Sequence, residues 1–532
     1  MKTFYINGTI LTMEEKNLYA EAVCVENGRI TAVGSREEVL SFRTEGDETV
    51  DLKGAVMLPG FIDGHSHFVG TANSMTQCEL SGCKNFADIV DAMKAFKEKR
   101  HLPEDAWIVG CNYDHNFLEE ERHPDRYVLD KISSTNPVLL IHASSHMGVT
   151  NSKGLELQGI DEHTEDRPDG KYGRVPGTRT PDGYMEEKAF LEFQSGLPMT
   201  SVEELMKLMK EAQNLYASYG ITTVQDGMVG RPLFQLLKAA AKMGILKLDI
   251  VGYLDIMTAA DLIDEEPEYV GAYQDHLKIG GYKIFLDGSP QGKTAWMLEP
   301  YAGEREYRGY PIHSDKKLRE YISLALDKKQ QLLAHCNGDA AAEQYVSQFE
   351  KELEKRENRD AFRAVMVHAQ LVRKEQLKRM AEIGMMPSFF IAHTYYWGDI
   401  HMKNFGPVRG GHISPAGDAV EYGMKFTFHQ DTPVVPPDMM RTVSCAVNRV
   451  SKTGQSIGAD EKIPVLEALK AITVYGAYQY HEEAEKGTIE PGKTADFVIL
   501  DRDPLKTAED QLADIQILQT IKENQVVFKR EA

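Results

Sequence analysis

Eight short apolar runs, several of them joined by amphipathic helical stretches, constrain this chain more than any other feature of its sequence. They cover residues 57–62, 221–225, 246–254, 282–286, 331–335, 364–368, 385–390 and 425–428. Between them, segments such as VEELMKLMKEAQNLYASYG and KKLREYISLALDKKQ repeat apolar residues at the helical period. Alternation of this kind builds parallel sheet. Eight strands of it close into an α/β fold, a (β/α)8 TIM-like barrel.

The two ends of the chain have another texture. Residues 1–57 read as short strands rich in Val, Ile and Thr, with turns at Asn7-Gly8, Asn27-Gly28 and Lys53-Gly54. The tail, KGTIEPGKTADFVILDRDP and then NQVVFKRE, repeats that pattern. Residues 1–57 and 485–532 are therefore expected to form one small β-sandwich domain, and residues 58–484 the barrel. The interval between the first two runs is far too long for an ordinary βα connection. With its strand-like NPVLLIHAS and the Pro/Gly-rich DRPDGKYGRVPGTRTPDGY, it is expected to be an inserted subdomain at about 70–215, at the barrel mouth.

The strongest local signal for chemistry is LPGFIDGHSHF. Strand alternation sends His65 and His67 to one side and Ser66 to the other. Two neutral imidazoles at the C-terminal end of a barrel strand can hold a divalent metal. His335 ends QLLAHCNGD, His368 ends AVMVHAQ and Asp431 closes KFTFHQDTPVV, so polar residues recur where barrel enzymes place their reactive groups. By the same alternation His429 should point away from the lumen. Lys283 lies inside the apolar GGYKIFLDGS, where an unpaired ammonium is costly. Either burial leaves it a neutral, reactive amine, or it pairs with a carboxylate such as Asp287.

A net charge of −21 opposes a nucleic-acid partner, because an acidic surface repels phosphate. Six scattered cysteines without a CxxC pair fit a reducing compartment. The segment MKTFYINGTILTMEEKN lacks the apolar core of a signal peptide, and no run approaches the ~20 residues of a membrane span. A cytoplasmic protein is expected, with a small-molecule substrate, no membrane contact, and a homodimer on general frequency.

Together, LPGFIDGHSHF, YKIFLDGSPQGKTA, LLAHCNGDAA, VMVHAQ, FHQDTPVVPPD and GTIEPGKTADFVILD resemble the amidohydrolase superfamily. With WIVGCNYD, NPVLLIHASSHMGVTNS and DGYMEE in the insertion, the resemblance narrows to the amidohydrolase-3 (YtcJ-like) group, which includes N-substituted formamide deformylases. It covers nearly the whole chain. It implies that His65, His67 and Asp431 bind one divalent metal, that His335 and His368 bind a second, and that Lys283, carbamylated by carbon dioxide, bridges them. Zinc is the default ion for such donors, one or two per chain.

The resemblance further implies hydrolysis of a C–N bond in an amide, formamide or cyclic amide. Asp431 would act as general base and then acid, and His146 would donate to the developing oxyanion. Tyr113 and Glu186 are expected to line the pocket. Arg409, in HTYYWGDIHMKNFGPVRGGH, either holds a substrate anion or lies on the surface. The family often has Glu-His where this chain has Val367-His368, and Ser-Asp where it has Gln430-Asp431. Heterocycle deamination, ester cleavage and an inactive binding scaffold are the alternatives. The filled ligand set opposes the last.

Overall fold

In a computed structural model that describes residues 1–531 except 144–145, 168–169, 199 and 359–360, the apolar runs pair into one all-parallel sheet. Its strands are Phe61–Ile62 (β1), Ile221–Val229 (β2), Asp249–Asp255 (β3), Leu277–Phe285 (β4), Gln331–Cys336 (β5), Val365–His368 (β6), Met386–Phe389 (β7) and Thr427–Phe428 (β8). Each lies beside its predecessor. Just past β1, the Gly64 N–H donates to Phe428 O on β8 at 3.3 Å and joins the ends of the sheet. A Cβ at Gly64 would stand 2.6 Å from Thr427 Oγ1, so only glycine permits that approach. The expected TIM-like barrel is the fold of this chain. Its strands read as apolar runs rather than alternating patterns because both faces are covered, and every residue of β3 is buried.

The helices follow from the same patterning. Asp315–Asp327 begins at Ser314, whose side chain accepts from the Lys317 N–H. It then turns Leu318, Ile322, Ala325 and Leu326 onto one buried stripe.

The run at 57–62 is not one strand. Val56–Pro59 pairs antiparallel with Phe497–Leu500, whereas Phe61–Ile62 pairs parallel with β2. Gly60 marks the handover, and a Cβ there would meet Thr222 at 2.5 Å. One extended segment therefore serves a terminal sheet first and the barrel second. That terminal sheet has six strands drawn from both ends of the chain, among them Thr9–Leu11, Ile517–Lys522 and Gln525–Lys529. A four-stranded sheet containing Lys2–Ile6, Ala22–Glu26, Arg29–Gly34 and Glu48–Asp51 accompanies it. Tyr5, Val23, Met57, Phe497 and Ile521 share one core. The Asn27-Gly28 turn forms as expected, with φ of 52° and 73°, values that suit a tight hairpin.

The chain divides into two compact units, Met1–Thr71 with Met206–Ala532, and Ala72–Leu205. The second unit is a six-stranded sheet whose central strands are Ile108–Tyr113, Val138–His142 and Met147–Thr150. The helix Phe86–Arg100 packs Ile89 and Met93 into a core with Leu80, Ile108 and Leu140. The Pro/Gly-rich ribbon forms the hairpin Gly170–Arg174 and Pro181–Glu187. Among the described residues, no helix is long and apolar enough to cross a membrane.

Candidate metal centre

The ends of β1, β4, β6 and β8 bring His65, His67, Lys283, His368 and Asp431 together. His65 Nε2 and His67 Nε2 stand 3.4 and 3.3 Å from Asp431 Oδ1. His368 Nε2 stands 3.9 Å from Asp431 Oδ2, and Lys283 Nζ lies 3.3 Å from His65 Nε2. The ligand atoms of His65, His368 and Asp431 all lie within 4.8 Å of one another.

The other nitrogen of each ring decides which atom is free to ligate. His65 Nδ1 bonds Gln225 Oε1, and His67 Nδ1 lies 3.1 Å from Gly227 O. Both oxygens can only accept, so both Nδ1 atoms carry the proton and both Nε2 atoms present lone pairs. Gln225 is itself fixed, donating from Nε2 to Gly64 O at 2.9 Å and to Tyr480 Oη at 3.0 Å. His368 Nδ1 bonds His429 Nε2 at 3.1 Å, and His429 Nδ1 bonds Ser388 Oγ at 2.8 Å. Outer partners of this kind hold a metal-binding imidazole in its tautomer and orientation.

These contacts fit a cation. Asp431 Oδ1 is buried and has no hydrogen-bond partner, although two imidazole nitrogens face it. Lone pairs gathered round a buried carboxylate oxygen repel one another unless a positive charge lies among them. Imidazole and carboxylate donors suit zinc or a neighbouring divalent ion. Burial, and then the nearby Lys283 charge, lowers the pKa of His65, while burial and the rings of His335 and His429 lower that of His368. For His67, burial works against the charged form, but the nearby carboxylate of Asp431 outweighs it and raises the pKa. The Asp431 pKa is lowered in turn: burial opposes this, and His67 overcomes it. Burial brings Lys283 down to about 7 against the pull of Asp431, which leaves much of it as free amine near neutrality. His368 and Asp431 also hold left-handed backbone, with φ of 73° and 53°. Such conformations cost about 1–3 kcal/mol each and persist where the surroundings impose them.

The remaining expected residues are placed differently. His335 meets the cluster through its ring, 4.5 Å from that of His368. Its Nδ1 faces Asp287 Oδ1 at 3.2 Å and its Nε2 faces Asn337 Nδ2 at 3.2 Å. Asp287, the alternative partner for Lys283, instead accepts backbone N–H bonds from Trp296, Asn337 and Gly338. Arg409 donates to the carbonyls of Phe405, Glu299 and Pro300, so its guanidinium braces main chain. Three residues belong to the second unit. Tyr113 is wholly buried in that unit, with its hydroxyl 3.0 Å from His123 Nδ1. Glu186 accepts from the Tyr184 hydroxyl at 2.9 Å. His146 is exposed and lies 3.1 Å from Glu187 Oε2.

His429 corrects the expectation from alternation. β8 ends at Phe428, and beyond it the His429 ring turns in, 5.3 Å from the ring of His65 and 5.1 Å from that of His368. Gln225 and Ser388 also went unrecognised in the sequence. Each is a polar residue within an otherwise apolar barrel strand, a signal weaker than a histidine at a strand end. Substituting His429→Phe keeps a ring but removes the bond to His368. It is expected to weaken divalent-metal binding by about 10–100-fold with unchanged circular dichroism. Equal metal affinity in a competition titration would show that His429 does not position His368.

Comparison with known proteins adds a family. A family model described as the amidohydrolase family matches residues 48–528. The Bacillus subtilis protein YtcJ is 29% identical, with 100% of both chains covered. An N-substituted formamide deformylase from Arthrobacter pascens is 27% identical over 99% of this chain and 98% of its own. Among solved structures, an uncharacterized metal-dependent hydrolase from Pyrococcus horikoshii superposes with a TM-score of 0.77. It shares 25% identity, and the match covers 96% of this chain and 99% of that one.

Proposed function

Since the chain belongs to the amidohydrolase family, we propose that it hydrolyses the C–N bond of a small amide or formamide at the centre formed by His65, His67, Lys283, His368 and Asp431. The observation that carries this reading is the convergence of imidazole nitrogens on a buried, unbonded carboxylate oxygen. A divalent cation bound there, with zinc the best match to the donors, polarises the scissile carbonyl and acidifies water.

The protein's own groups do the rest. Gln225 and Gly227 fix the protons of His65 and His67 on Nδ1 and keep both Nε2 atoms turned inward. His429, held by Ser388, orients His368. Asp431 accepts the proton of the attacking water and returns it to the leaving nitrogen, which departs as a neutral amine. The free amine of Lys283 can add to carbon dioxide, releasing a proton and giving a carbamate whose oxygens would supply further ligands. His335, whose ring lies 4.5 Å from that of His368, would then be the residue to hold a second ion. The formamide deformylase among the relatives supports an amide substrate over an ester.

The test is to strip the protein of metal, reload it with Zn²⁺ or Mn²⁺ in bicarbonate, and follow amine release. The panel comprises N-formyl amines, N-acyl amino acids, hydantoins, amino-heterocycles and small esters. Metal-dependent turnover of an N-formyl or N-acyl amine is expected. Turnover confined to esters or amino-heterocycles would move the assignment to those chemistries. A chain that holds no stoichiometric metal and turns over none of the panel would favour a binding scaffold.

A further inference from the structure

The second unit carries a cluster of metal-binding side chains that the hydrolysis above does not use. Strand Ile108–Tyr113 runs parallel to Val138–His142, with Tyr113 opposite His142. Parallel neighbours end on the same side. The residues leaving the first strand, Asp114 and His115, therefore meet the last residue of the second. His115 Nδ1 stands 3.2 Å from His142 Nε2. Asp114 Oδ1 stands 3.5 Å from that same His142 nitrogen and 3.8 Å from His115 Nδ1.

Tetrahedral zinc, with ligands at about 2.0–2.1 Å, sets its ligand atoms roughly 3.3 Å apart. The triangle formed by Asp114, His115 and His142 is close to that size. Its members are also held in place. Asn116 donates to Asp114 Oδ1 from its backbone N–H at 2.9 Å and from its side-chain amide at 2.8 Å. His123 stacks on His115 with ring centroids 3.9 Å apart, and the Tyr113 hydroxyl fixes His123 in turn.

Two other histidine–carboxylate groups are already neutralised by protein charges. Lys486 and Lys522 pair with Asp249 beside His276, and His412 spans Glu461 and Asp418 through its two nitrogens. In the second unit, Asp114 instead faces His115 and His142.

We propose that Asp114, His115 and His142 form a zinc-type divalent cation site in the inserted unit. A cation there ties the turn after one strand to the end of its neighbour.

The test uses the full chain, stripped of metal and dialysed against Zn²⁺, with bound zinc counted by elemental mass spectrometry. The variant His115→Gln with His142→Gln is expected to lose one zinc relative to the unaltered protein. The variant His65→Gln with His67→Gln is expected to keep that zinc. Equal zinc content in the unaltered and His115→Gln/His142→Gln proteins overturns the proposal. A second measurement needs no variant and so does not depend on either variant folding. His115 in the unaltered chain is modified with diethyl pyrocarbonate and the peptide is weighed. Zn²⁺ is expected to protect it several-fold, and modification unchanged by Zn²⁺ overturns the site.

Discussion

Asp431→Asn is expected to lower kcat by about 10²–10⁴-fold, the range lost with a general acid–base group, while the far-ultraviolet circular dichroism stays that of the unaltered protein. The amide keeps the size of the carboxylate and removes its charge and its basicity. Both matter here, because one oxygen faces His65 and His67 while the other faces His368. An amide can still offer one carbonyl oxygen to the cluster, so some metal is retained and the loss falls mainly on the proton transfer. Steady-state kinetics with metal supplied in excess separates the two effects. A variant within tenfold of normal kcat under those conditions would remove Asp431 from the proton path.

The second large effect is expected at Lys283. Lys283→Ala should lose at least one equivalent of metal and all dependence of activity on bicarbonate. Lys283→Met, which nearly preserves the buried volume, should do the same without the penalty of a cavity. The amine is fully buried, is brought to about 7 by that burial, and has His65 Nε2 3.3 Å away. A lysine that served only to fill the barrel would be replaced by methionine at little cost. Two metals per chain in the methionine variant, with normal turnover, would refute the bridging role.

The barrel was legible because its strands are apolar on both faces and its helices are not. A period of that kind survives in sequence even where strand limits do not. Residues His65, His67, His368 and Asp431 were legible for a related reason, since strand ends are where polar residues interrupt apolar runs. What escaped depended on register or on irregular backbone. His429 turns inward because β8 stops one residue before it and Asp431 takes a left-handed conformation two residues later. The break at Gly60 is set by contact with Thr222, over 150 positions away in the chain. Asp114, His115 and His142 have no motif spacing, and only the pairing of Tyr113 with His142 brings them together.

The handover at Gly60 has a consequence for the order of events in the cell. The segment that presents His65 and His67 is anchored on its upstream side by Phe497–Leu500. Those partners leave the ribosome roughly 20–90 s after His67 at ordinary elongation rates. Until they arrive, Val56–Pro59 has only Thr9–Leu11 beside it, and the sheet that steadies the first two ligands is incomplete. The full ligand set, with Asp431 more than 360 positions after His67, can therefore come together only once most of the barrel has been made.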